Sequence, residues 1–111
     1  MQQVVTIEQL PETALDAAEA FRVTYLADIR KILEAGDDVA IRLPAATYDH
    51  EDWRKAIVRD LARAHAPARV NMVSGAGAAA IEATLAYLAK APGVTGQYLP
   101  LAGAGRHDTH G

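Results

Sequence analysis

Two stretches of the chain combine residue types and spacings that could do chemistry. In "VNMVSGAGAAAIEA", residues 70–83, an apolar run meets a glycine turn and then a helical pattern. Gly75, Gly77 and Ala80 fit G-x-G-x-x-A, the form of a turn that brings backbone close to a pyrophosphate over a helix N-terminus. On that reading Ser74, Gly75 and Gly77 would contact a cofactor. A full fingerprint also requires an acidic residue about 20 positions on, where this chain offers Tyr98, Leu99, Pro100 and Leu101. Gly75 and Gly77 therefore read first as a turn and close-packing device. Ser74 has no histidine beside it in sequence, so a helix N-cap outranks a nucleophile. At the end of the chain His107, Asp108 and His110 form H-D-x-H. Two imidazoles and a carboxylate could hold a metal ion, whereas a glycine-flanked polar end reads as a flexible tail over 106–111.

The chemistry is bounded by composition. A chain of 111 residues, half of them hydrophobic, carries a formal net charge of −3 and no cysteine. Its length fits one domain, assigned to residues 1–105. The charge balance argues against nucleic acid and anionic membrane as partners. Thiol chemistry and disulfides are excluded by inventory. The opening "MQQVVTIEQLPE" has neither a basic nor an apolar leader region, and no stretch approaches a membrane span. A cytoplasmic location is the expectation.

The elements that must position these residues alternate. A short strand over 3–9 precedes Pro11, and a helix pattern runs from about Thr13 to Ala35, with Gly36 as its C′ glycine. "DDVAIRLP" reads as a second strand. A second helix follows from an Asp49 N-cap to about His65, with Trp53, Ile57, Leu61 and Ala64 inward and Arg54, Arg59 and Arg63 in water. "ARVNMVSG" is the third strand, Ile81, Leu85 and Leu88 mark the third helix, and "GQYLPLAG" is the fourth strand. The order β-α-β-α-β-α-β implies an α/β protein with a mostly parallel four-stranded sheet. Three right-handed crossovers stepping one way would put every helix on one face. Either one helix crosses over or a second subunit covers the bare face. On a wheel of 100° per residue, Leu15, Ala18, Phe21, Tyr25, Leu26, Ile29, Ile32 and Leu33 spread over roughly 140°, wider than a lone surface helix needs.

Lys55–Ala56, "LARAHAP" at 61–67, "RVNMVSG" at 69–75, "LAYLAK" at 85–90, "VTGQYLPL" at 94–101, Gly103 and Gly105 follow one another in the order of the C-terminal half of a short-chain dehydrogenase/reductase. The chain resembles a truncated, degenerate member of that family. The resemblance implies a compact three-layer Rossmann-like sandwich, with helices 13–35 and 50–66 pairing with their copies in a four-helix bundle. A homodimer is thus expected, or docking onto a full-length relative through matching helices.

The resemblance also locates what differs. The family's TGxxxGxG cofactor turn has no counterpart here. Its Tyr-x-x-x-Lys places Lys55 as the lysine and Glu51 at the tyrosine position, with Tyr48 seven residues before Lys55. The catalytic serine position falls at Leu43 and Pro44, and the asparagine corresponds to about Thr24. A phenol next to a lysine is the family's proton donor, and without it hydride transfer lacks its acid. The expectation is a non-catalytic protein without a cofactor. The alternative is an NAD- or NADP-dependent oxidoreductase or small-ligand module with a reduced site around Lys55, Glu51, Tyr48 and Ser74.

Overall fold

A computed structural model describes residues 1–101. Four strands, β1 (Gln2–Thr6), β2 (Asp38–Leu43), β3 (Val70–Ser74) and β4 (Tyr98–Pro100), form one sheet in the order β1-β2-β3-β4. All three pairings are parallel. Alternation along β2 decides which layer each residue enters. Val39, Ile41 and Leu43 face a core shared with Phe21, α2 (Leu26–Glu34) and α3 (Glu51–His65), and α1 (Ala14–Ala20) packs on α3. Ala40 faces a smaller core built with α4 (Ala78–Ala89), whose Ile81, Leu85 and Leu88 are buried with Val73.

The crossover difficulty is resolved by α4. It lies on the face opposite α1, α2 and α3 although the strands keep stepping one way. The β3–α4–β4 connection therefore has the opposite hand from the two before it.

The first long helix departs from a regular α-helix. Phe21–Tyr25 is a π turn between α1 and α2. In an uninterrupted α-helix Ile29 and Leu33 would stand about 80° and 120° around the axis from Phe21. The extra residue of the π turn takes up about 100° and returns both to within about 20° of it. Phe21, Ile29 and Leu33 are accordingly all buried in one core. Burying a side chain such as Phe21 contributes about 1.5–3 kcal/mol, which outweighs the poorer hydrogen bonding of a single wide turn. The broad stripe read from the sequence is two narrower stripes in shifted register. Leu15, expected inward, is 83 % exposed.

Helix ends follow local chemistry. Gly36, at φ +99°, closes α2 with Gly36 N–H on the Leu33 carbonyl and Asp37 N–H on the Ile32 carbonyl, the paired bonds of a Schellman motif. Asp49 is not the cap of α3. It sits inside a 3₁₀ turn, Tyr48–His50, and accepts a hydrogen bond from the Thr47 hydroxyl. Ser74 is not the cap of α4 either, because Gly77 occupies that position. On α3 the buried residues are Arg54, Ile57, Val58 and Leu61, while Ala64 is exposed and Trp53 half-buried.

Candidate functional site at the carboxyl edge of the sheet

In an open parallel sheet the loops leaving the carboxyl ends of the strands form the natural crevice. Here the segment after β1, residues 8–12, and the segment after β2, residues 44–47, bound a cavity of about 430 Å³ completed by His50 and Arg54. His50 holds its wall. The Trp53 indole N–H donates to His50 Nδ1 at 3.1 Å, so that nitrogen carries a lone pair and Nε2 donates to the Glu12 carbonyl at 3.0 Å. The buried imidazole thus pins the segment after β1 to the start of α3.

Arg54 is 1 % exposed. Its Nη1 donates to the Pro44 carbonyl at 3.1 Å and to the Tyr98 hydroxyl at 3.2 Å, and the Tyr98 hydroxyl in turn meets Ser74 Oγ at 3.1 Å. The guanidinium carbon lies 5.4 Å from the Trp53 ring centroid and 5.8 Å from that of Tyr98. Nε is buried without a hydrogen-bond partner. Among the described residues no carboxylate lies within ion-pair distance of Arg54. Removing such a charge from water costs several kcal/mol, and hydrogen bonds to charged groups return about 1.5–3 kcal/mol each. Among the described residues, two bonds and two aromatic rings support this cation, but no counter-charge does.

The residues singled out from sequence are dispersed. Lys55 Nζ stands 3.4 Å from Glu51 Oε1, one turn away on α3. Tyr48 is 74 % exposed. Ser74 is buried at the end of β3, occupied by Tyr98. Gly75, at φ +151°, allows the close approach of Leu101, whose Cβ would lie 3.3 Å from a Cβ at position 75. Gly77 has open space around it. His107, Asp108 and His110 lie outside the described residues, among which no group of three His, Asp or Glu could hold a metal ion. Arg54, expected in water, is the buried centre of the site. The signal was available in the spacing: Arg54, Ile57, Val58 and Leu61 fall at i, i+3, i+4 and i+7, one face of a helix. The sequence reading also passed over His50 and Tyr98.

A family model described as short chain dehydrogenase-like protein matches residues 5–101. The chain belongs to the short chain dehydrogenase-like family. Searches of curated proteins and of solved structures found no match. Within this family member the "RVN" and "VTGQ" stretches are an interlock between strands. Asn71 Nδ2 donates to the Val94 carbonyl at 3.0 Å, and its Oδ1 accepts Gln97 N–H at 3.1 Å. Thr95 Oγ1 accepts Val70 N–H at 3.0 Å. Gly96, at φ +74°, lies where a Cβ would stand 3.3 Å from the Ala62 Cβ. These motif residues hold β3, β4 and α3 together, and none of them lines the cavity. No helix among the described residues is long and apolar enough to cross a membrane.

Proposed function

We propose that this short chain dehydrogenase-like protein is non-catalytic and acts by association with a second copy of itself. The first half rests on the Glu51–Lys55 pair. Carbonyl reduction needs a neutral acid to protonate the oxygen as hydride reaches the carbon. At the position of that acid stands a carboxylate, ion-paired with the lysine that would have tuned a phenol. A paired carboxylate accepts protons and hydrogen bonds rather than donating them. Tyr48, the nearest phenol along the chain, faces solvent. In a test of turnover, NADH and NADPH are incubated with the protein and a panel of aldehydes and ketones. No cofactor consumption above a heat-denatured control is expected. Turnover that Lys55→Ala abolishes would overturn the reading.

Support for association comes from the outward residues of the first long helix. Val23 is 74 % exposed and Leu15 more so, and a shallow groove between α2 and α3 is lined by Leu26, Ile57, Leu61 and Ala64 with Arg22, Arg30 and Asp60 at its edges. Helices 13–35 and 50–66 would pair with their copies there. Sedimentation equilibrium is expected to give a dimer whose dissociation constant rises at least about tenfold in Val23→Glu. A monomer at all concentrations would refute the association.

A further inference from the structure

The cavity at the carboxyl edge holds a buried cation that the self-association does not explain. Its buried polar residues are His50 and Arg54. The first is fully engaged: one ring nitrogen accepts from Trp53 and the other donates to Glu12. The second is not. Nη1 carries both of the guanidinium's hydrogen bonds to described residues, and Nε is buried with no partner. A buried cation whose donors are partly idle, bordering a cavity and with no carboxylate in ion-pair distance among the described residues, favours an anion.

The rest of the lining narrows the class. Leu10, Pro11, Pro44, Ala45 and Ala46 are apolar. Glu8 and Glu12 are exposed members of the same lining. One buried positive charge with two carboxylates at the rim favours a single negative charge and opposes phosphates and dicarboxylates. The volume, about 430 Å³, falls in the range of small-molecule sites.

We infer that this cavity binds a small monocarboxylate, its carboxylate against the Arg54 guanidinium and its apolar tail along Leu10, Pro44, Ala45 and Ala46. The inference stands apart from the proposed self-association, and each can fail without the other.

Calorimetric titration and ¹H–¹⁵N correlation spectra of the full chain test it, with sodium hexanoate, hexanamide, glutarate and inorganic phosphate as probes. Hexanoate is expected to saturate and to shift the amides of Leu10, Ala45, Ala46 and Thr47. Hexanamide should bind at least about tenfold more weakly, as should hexanoate to Arg54→Met, since a charge-assisted bond is lost in both comparisons. Glutarate and phosphate should be weaker by a similar factor because their additional negative charge meets the Glu8 and Glu12 carboxylates. Absence of saturable hexanoate binding, equal affinity for hexanamide, tighter binding of glutarate or phosphate, or unchanged affinity in Arg54→Met would overturn the inference. If Arg54→Met does not fold, Ala46→Phe decides, because filling the cavity must abolish the hexanoate shifts. Their persistence would place hexanoate elsewhere and refute the site.

Discussion

Two arginines withdrawn from solvent stand at opposite ends of the sheet, and their surroundings differ in kind. Arg69 leads into β3 at the amino edge. Its Nε and Nη2 meet Asp38 Oδ2 at 3.2 and 2.8 Å, and its Nη1 donates to the Leu88 and Ala91 carbonyls at 2.9 and 2.7 Å. The same guanidinium therefore joins β2 to β3 and satisfies carbonyls at the carboxyl end of α4, where a cation is also favoured by the helix dipole. Arg54, at the carboxyl edge, has two neutral partners, no carboxylate among the described residues and an idle Nε. Closed electrostatics mark a strut, and open electrostatics beside a cavity mark a place for something else.

Breaking the strut should have the largest effect. Arg69→Met leaves Asp38 half-buried without its cation and the α4 carbonyls without their donor, and is expected to lower stability by about 2–3 kcal/mol in urea denaturation. A loss below about 0.5 kcal/mol would mean that water replaces the arginine freely. Gly75→Ala comes next. The added Cβ would stand 3.3 Å from the Leu101 Cβ at a φ that side chains avoid, so a cost of about 1–2 kcal/mol is expected from the same denaturation curves. An unchanged midpoint would show that the turn after β3 relaxes, and with it the account of Gly75 as a packing device.

A smaller effect sharpens the picture of the cavity wall. The Thr47 hydroxyl bonded to Asp49 holds that carboxyl below the usual aspartate range. A folded-state value depressed in this way contributes stability above the unfolded value and loses it as pH falls through the folded one. Thr47→Ala should raise the Asp49 titration toward that of a free aspartate, read by NMR. No change would assign the depression to another group.

Much of the architecture was legible because it depends on local rules. Strand and helix order, the parallel sheet and the C′ role of Gly36 follow from alternation, apolar spacing and glycine's freedom at positive φ. The family resemblance was legible in Asn71, Thr95, Gly96 and Gln97, although their reason is an interlock visible only in three dimensions. The π turn was not legible, since a wheel of fixed pitch converts a register shift into apparent breadth. Nor was the face chosen by α4, which depends on how a whole crossover packs. The site was misread for a physical reason. Charge assigned Arg54 to solvent, whereas its spacing with Ile57, Val58 and Leu61 assigned it to the interior, and spacing prevailed because Pro44, Tyr98 and Trp53 surround the cation.

The smallest expected change is the most telling. Urea unfolding of Arg54→Met beside the wild type and Arg69→Met asks whether the buried cation at the carboxyl edge builds the fold or waits for a partner. An apolar chain of similar length removes a buried charge that has no carboxylate partner among the described residues, while losing two hydrogen bonds to neutral acceptors and the contacts to two rings. The relief and the losses offset, so a change within about 1 kcal/mol of zero is predicted. A loss as large as that of Arg69→Met would contradict the account and make Arg54 a second strut.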